Sequence, residues 1–231
     1  MEFVLVHGAY HGAWCWELLA PELEKRGHSV LTVDLPIGDT NAGAAEYAST
    51  VLDAMSRLGD EPIVVGHSMG GVVVPLVAAA RPVARMVFLA ALLPEPGSTL
   101  GEQRAREPVD AIVELSAVEF TDLGDRVFEV GPNTARELFY QDAPTEIAEA
   151  AIRRLRPQAY LFMDETTPLQ AWPDCEAEYI VCSDDHAVNP AWGRQAASER
   201  LNVTAHEIEG GHSPFLTRPS QLADMLDDMA H

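Results

Sequence analysis

Three side chains in this sequence have the types, order and settings of a nucleophile and its two helpers. Ser68 lies in GHSMG, a G-x-S-x-G pattern, between an apolar β-branched run (Ile63, Val64, Val65) and an apolar, alanine-rich run (Val72 to Ala80). His212 lies in IEGGHSPF, and Asp184 and Asp185 directly follow YIVCS. A serine hydroxyl is a poor nucleophile at neutral pH, so a neutral imidazole must take its proton as the new bond forms. The imidazole in turn needs one tautomer held and its developing charge compensated, which a buried carboxylate does. A tetrahedral oxyanion needs preorganised N–H donors, each worth about 3 kcal/mol of barrier in comparable sites. The N–H of Met69 is one such donor, and the loop HGAYHGAW is the place for another. The chemistry is acyl transfer through a covalent acyl-enzyme, with no cofactor. Either aspartate can serve as the orienting carboxylate at this level.

The elements that must position these groups are legible as alternating runs. Strand candidates are Phe3 to Val6, Ser29 to Val33, residues 62–66, Arg85 to Ala90, Glu178 to Cys182 and Val203 to Ile208. Between them run helical candidates at Trp16 to Arg26, Ala44 to Leu58, residues 69–80, Pro190 to Arg200 and Pro219 to Ala230. Nearly continuous apolar strands in a β-α-β rhythm predict a six-stranded, mainly parallel sheet with helices on both faces. Ser68, the aspartates and His212 each follow a strand's C-terminal end, where open parallel sheets carry their functional crevice. A serine at such a strand-to-helix turn takes a strained backbone, and small residues at 66 and 70 let strand and helix approach closely.

The rhythm breaks after Leu93. From Pro94 to about Pro173 prolines are frequent and helical segments dominate (Val109 to Ala117, Thr134 to Gln141, Pro144 to Leu155). The stretch is too long for a loop. The expected organisation is a core of residues 1–93 and 174–231 with a helical cap, residues 94–173, inserted after the fourth strand.

Bulk properties narrow the function classes. The chain has 231 residues and a formal net charge of −21, a field that repels phosphate backbones and anionic lipid. Neither a nucleic acid nor a membrane is expected as partner, and oligomeric state is not legible. Cys15, Cys175 and Cys182 are an odd count without CxxC spacing, which fits a reducing compartment. MEFVLVHG shows no basic and apolar leader pattern, so the expected location is the cytoplasm. His7 and His11 are four apart, but in a glycine-containing loop that spacing suits loop-shaping hydrogen bonds rather than a metal.

FVLVHGAYHGAWCW, VVGHSMGG, LFYQD, LRPQ and EGGHSPFLTRP together resemble α/β-hydrolases, within them the branch of plant methyl esterases, hydroxynitrile lyases and small bacterial esterases. The resemblance spans nearly the whole chain. It implies an α/β-hydrolase fold with a helical cap, and an oxyanion hole formed by Ala9 and Met69. It also favours Asp185 over Asp184, because the family's pattern at the strand end is a small residue, two intervening positions and then the aspartate, and Cys182-Ser183-Asp184-Asp185 places Asp185 there. Where the plant lyases carry a threonine this chain has Gly8, and where they carry a lysine after the histidine it has Ser213. A serine cannot supply the positive charge that stabilises departing cyanide, so ester hydrolysis is expected over carbon–carbon cleavage. A non-catalytic ligand receptor on the same scaffold is the third reading, disfavoured because all three catalytic residues are present. Phe120, Phe139, Tyr140 and Phe162, with Tyr160 and Met163, are the expected cap wall of an apolar substrate pocket. His67 and Trp14 are further contacts, His67 doubling as a brace of the turn and Trp14 as a packing anchor.

Overall fold

Along the first strand, Phe3 and Leu5 pack into one apolar layer while Val4 and Val6 pack into another, and none of the four is exposed. Successive side chains of a strand point to opposite faces, so an uninterrupted apolar run belongs to a sheet covered on both sides. The computed structural model describes residues 1–59, 61–112 and 119–231. Its strands are β1 (Glu2–Val6), β2 (Ser29–Val33), β3 (Ile63–His67), β4 (Arg85–Leu89), β5 (Phe120–Asp122), β6 (Val127–Val130), β7 (Gln158–Ala159), β8 (Ala177–Cys182) and β9 (His206–Ile208). Its α-helices are α1 (Leu19–Lys25), α2 (Ala44–Ala54), α3 (Val74–Ala80), α4 (Leu100–Arg106), α5 (Pro132–Phe139), α6 (Thr145–Ile152), α7 (Leu161–Asp164), α8 (Pro190–Ala196), α9 (Pro214–Thr217) and α10 (Pro219–Asp228).

The main sheet has six strands in the order β2-β1-β3-β4-β8-β9, every neighbouring pair parallel. From β1 the chain moves outward to β2, whereas from β3 it moves the opposite way to β4. The reversal makes the gap between β1 and β3 the topological switch point, where a crevice opens above the strand ends. Tyr47 and Val51 of α2 and Val77 of α3 fill one side of the sheet, and Leu19 and Leu23 of α1 with Leu222 and Leu226 of α10 fill the other.

Two boundaries depart from the sequence reading for local reasons. The helix expected over 69–80 is a 3-10 turn (Ser68–Val72) followed by α3, with Pro75 at the second helical position. The strand expected from Val203 begins at His206. Asn202 takes a left-handed φ of 57°, and the Val203 N–H is tied back to the carbonyl of Ala197 at the preceding helix end. Between β4 and β8 the expected helices Thr134 to Gln141 and Pro144 to Leu155 correspond to α5 and α6. The one expected at Val109 to Ala117 runs into residues 113–118, outside those described. This segment also holds a three-stranded antiparallel sheet, β5-β6-β7, whose two- to four-residue strands are too short to show a period of two.

Candidate active site

Ser68 is the first residue after β3, and its φ is 54°. A non-glycine side chain in that region is strained and persists only where its surroundings over-determine it. Here they do. A Cβ on Gly66 would lie 2.5 Å from Val74 Cγ2, and one on Gly70 would lie 2.7 Å from the Val6 carbonyl oxygen. The Leu92 N–H donates to the Ser68 carbonyl at 3.0 Å, which closes the turn from the loop after β4. Glycines therefore let strand, turn and helix pack at backbone contact, and the serine is lifted at the apex.

His212 and Asp185 meet after β9 and β8. The Nδ1–H of His212 donates to Asp185 Oδ2 at 2.8 Å, and both side chains are almost wholly buried. Asp185 Oδ1 accepts from the N–H groups of Ala187 and Val188 at 2.7 and 2.9 Å, so the carboxylate is held at both oxygens. With Nδ1 carrying the proton, Nε2 of His212 is the basic nitrogen. Asp184 points outward, its side chain mostly exposed, and meets His186 rather than His212. The choice of Asp185 as the orienting carboxylate fits this arrangement. His212 also packs ring to ring on His67, the residue before Ser68, with centroids 4.4 Å apart.

Three further histidines surround the turn, and each is held neutral. His7 Nδ1–H donates to the Gly8 carbonyl at 2.8 Å, while its Nε2 accepts from the Leu35 N–H. His11 Nδ1–H donates to the Ala9 carbonyl at 2.8 Å, and its Nε2 accepts from the Tyr140 hydroxyl at 2.7 Å. His67 Nε2–H donates to the His212 carbonyl at 2.9 Å. Burial pushes the pKa of His7 down to about 4 and of His11 to about 3, and drives that of His67 well below the ordinary value. Thus His7 and His11 fix the carbonyls of residues 8 and 9, and with them the direction of the loop backbone beside Ser68. This is the loop-shaping role their spacing suggested.

Ser68, Ala9 and Met69 open together on a cavity of about 230 Å³. Loops after β1, β3, β4 and β8 supply one wall through Ala9, Tyr10, Leu92, Ala187 and Val188. The segment between β4 and β8 supplies the other, chiefly Ile112, Phe120, Leu138, Phe139, Phe162 and Met163, with Tyr160 and Arg104 as its polar members. Arg104 is gripped by both oxygens of Asp110 at 2.8 Å, and this pairing holds the Asp110 carboxyl below its usual pKa. A larger cleft, about 400 Å³ between Gln103, Trp172 and Trp192, lies elsewhere. Its Arg200 and Glu107 neutralise each other, and Trp192 Nε1–H donates to Glu107 at 2.7 Å.

Of the expected substrate contacts, Phe120, Phe139 and Phe162 line the Ser68 cavity; Tyr140, His67 and Trp14 do not. Tyr140 is fully buried behind Phe139, its hydroxyl spent on His11. His67 is likewise enclosed and acts only as a brace, the second of the two roles it was given. Trp14 lies on an outer groove with Glu146, Ile147 and Leu216, where the Arg154 guanidinium sits 4.7 Å over its ring. An aromatic residue's type says nothing of which side of a loop it faces.

The sequence reading missed a set of positioning residues next to Tyr140. Gln141 Nε2–H donates to the Asp184 carbonyl at 2.6 Å, which ties the loop carrying Asp185. Asp142 Oδ2 accepts from the Gly211 N–H at 3.1 Å and from Arg218, which ties the loop carrying His212. Tyr140, Gln141 and Asp142 thus reach three different loops from one short stretch. Its signal was present as the quoted LFYQD, but a motif does not disclose its partners. Tyr10, with a positive φ of 63° on the cavity wall, was also missed.

Among the described residues no group of three or more His, Cys, Asp or Glu side chains could hold a metal ion, and no helix is long and apolar enough to cross a membrane. Residues 3–225 match the model of the alpha/beta hydrolase family. Methylesterase 7 of Arabidopsis thaliana is 30% identical, the match covering 99% of this chain and 96% of that protein. Alpha-hydroxynitrile lyase of the same plant is also 30% identical over 99% of this chain and 96% of its own. The crystal structure of a pyrethroid hydrolase from Sphingobium faniae JZ-2 superposes with a TM-score of 0.81 at 25% identity, covering 100% of this chain and 97% of that one.

Proposed function

This chain belongs to the alpha/beta hydrolase family, and from that premise we propose that it hydrolyses small carboxylic esters through Ser68, His212 and Asp185. The observation that carries the reading is the buried 2.8 Å His212–Asp185 hydrogen bond beside a turn that strains Ser68 to φ 54° on a cavity wall. Ser68 Oγ attacks the ester carbonyl carbon while Nε2 of His212 takes the hydroxyl proton. The carbonyl π electrons move to oxygen, and that oxyanion is received by the N–H groups of Ala9 and Met69. Collapse expels the alcohol, which leaves with the proton from His212. Water then repeats the sequence on the acyl-enzyme and releases the acid. Asp185 keeps its hydrogen bond to Nδ1 of His212 and compensates the imidazolium throughout.

Residues 94–173 act as the cap. They supply most of the cavity's apolar lining, so cap shape selects the ester, in keeping with a site that is mostly apolar with few polar groups. Three unpaired cysteines support a reducing, cytoplasmic setting.

A relative that is a hydroxynitrile lyase raises carbon–carbon cleavage as the competing activity. Two features here weigh against it. A Cβ on Gly8 would lie 2.8 Å from Ser68 Cβ and 2.9 Å from His67 Nδ1, so the serine rests in space that a threonine would fill. Ser213 is fully buried and brings no cation to the histidine loop.

Assaying the purified chain on p-nitrophenyl esters of graded acyl length tests the proposal, together with fluorophosphonate labelling read by peptide mass spectrometry. Hydrolysis and a label on Ser68 are expected, both lost in Ser68→Ala. Undiminished hydrolysis by Ser68→Ala, or aldehyde release from mandelonitrile without esterase activity, would overturn it.

A further inference from the structure

We propose that the hydroxyl pair of Tyr10 and Tyr160 is a polar subsite of the cavity, selecting esters that carry a second oxygen acceptor, a keto or ether oxygen, besides the scissile group. The proposal rests on the ester-hydrolase reading of the same cavity and names its substrate class.

The two phenol oxygens are 2.6 Å apart, and this is the only hydrogen bond either of them makes among the described residues. Two hydroxyls bring two protons, and their mutual bond uses one. The hydroxyl that accepts that bond must aim its own proton elsewhere. Both residues line the cavity that holds Ser68, so the spare proton has the cavity as its outlet. Burial raises the pKa of both phenols, so the protons stay in place across the working pH range. The pair is part-buried, so a ligand oxygen placed there takes the acceptor role that solvent otherwise fills, whereas an alkyl chain placed there fills it with nothing.

The pair is also built rather than incidental. Tyr10 directly follows Ala9 and takes a left-handed φ of 63°, a strained conformation of the kind that gathers at functional sites. The cap holds it there: the Arg156 N–H donates to its carbonyl at 2.8 Å, and its own N–H reaches Gln158 Oε1 at 3.4 Å. Its ring stacks on Phe120 at 6.0 Å, while Tyr160 is fixed edge-on by Phe128 at 5.2 Å. Each tyrosine comes from a different side of the cavity, one from the loop after β1 and one from the cap, so the subsite spans their junction. Apart from Ser68 and the Asp110-bound Arg104, the remaining lining side chains are apolar. A hydrocarbon chain fills such a cavity but leaves the phenol proton unanswered. A site made to hydrogen-bond a substrate group discriminates against analogues that lack it.

Matched esters decide the matter: p-nitrophenyl 4-oxopentanoate against p-nitrophenyl pentanoate for the acyl side, and 2-methoxyethyl against butyl acetate for the alcohol side. The variants are Tyr10→Phe, Tyr160→Phe and the double variant, each keeping the ring and its packing. In at least one pair, the oxygen-bearing ester's kcat/KM relative to its alkyl partner should fall about tenfold from wild type to the double variant. Each single variant retains one hydroxyl able to donate and should fall in between. Equal ratios in wild type and double variant for both pairs would overturn the subsite while leaving the hydrolase reading intact. Should no ester be turned over, the hydrolase reading fails instead, and calorimetric binding of the same esters to wild type and double variant answers for the subsite. An oxygen preference lost in the double variant upholds it, and no such loss overturns it.

Discussion

The two walls of the cavity are made in opposite ways. The sheet-side wall consists of backbone held under constraint: Ser68 at φ 54°, Tyr10 at φ 63°, and carbonyls pinned by His7 and His11. The cap-side wall consists of side chains, Phe120, Phe139, Phe162 and Met163, brought there by short elements, one of which, β5, is exposed along its whole length. Constraint suits groups that must meet a reacting atom within a fraction of an ångström. Apolar side chains on short elements suit a surface that need only match a shape. Activity should therefore respond to the first wall as a switch and to the second as a dial.

The largest effect should come from the histidine's partner. Asp185→Asn presents the wrong donor to Nδ1 of His212 and favours the wrong tautomer, so kcat should drop by roughly 10⁴-fold. Asp184→Asn, one residue away but turned to solvent, should stay within about twofold. Steady-state kinetics of both variants provide the check, and equal losses would erase the distinction between the two aspartates.

Acidification separates the walls next. His7 and His11 have folded pKa values of about 4 and about 3, below the ordinary 6.5. Between those values and 6.5 the unfolded chain binds protons that the folded chain refuses. Their contribution is complete above pH 6.5 and is lost as pH falls toward 4 for His7 and 3 for His11, roughly 2 kcal/mol each by pH 5. The tyrosines on the cavity have raised pKa values and do not change charge in this range. Urea unfolding between pH 7 and 5 should show the decline, with a shallower slope in His11→Gln. A flat profile would mean that these imidazoles are not held neutral.

An intermediate effect belongs to the stretch that joins the walls. Asp142→Asn weakens the hold on Gly211 and Arg218, and so on the loop that aims His212. A misplacement of about 1 Å can cost up to about 100-fold in rate. A tenfold or greater fall in kcat with little change in KM is expected, and an unaltered kcat would remove Asp142 from the positioning set.

What the sequence disclosed divides along the same line. The six strands of the main sheet, their parallel direction, Ser68 and the loop carrying His212 were legible because apolar runs, glycine spacing and the alternation of strand with helix are written along the chain. Asp185 needed the resemblance to separate it from Asp184, since both are acidic residues after one strand and only the fold buries one of them. Trp14 and Tyr140 were misplaced because facing is a tertiary property. Tyr140's hydroxyl is directed by His11, 129 residues away in the chain. Tyr10 was passed over because a left-handed φ at a tyrosine leaves no mark in composition or pattern. Gln141 and Asp142 were in view within LFYQD, yet their partners lie on loops that only folding brings near.

The smallest effect should come from the cap wall, and its form matters more than its size. Phe162→Ala removes a ring that faces the cavity and packs on Tyr160 at 5.5 Å between centroids. The groups proposed to carry out bond making, at Ser68 and His212, are untouched, so kcat on a small ester such as p-nitrophenyl acetate should change by no more than about threefold. The added room should instead shift preference along the acyl series. A short chain loses apolar contact and its KM rises, while a longer or branched chain fits where it did not before. Each methylene gained or lost in an apolar pocket is worth about 1 kcal/mol or a little more, so the ratio of kcat/KM between octanoate and butanoate esters should move by roughly tenfold. If Phe162→Ala instead lowered kcat for every ester alike, the cap side would be part of the catalytic constraint, and the two walls would not differ in kind.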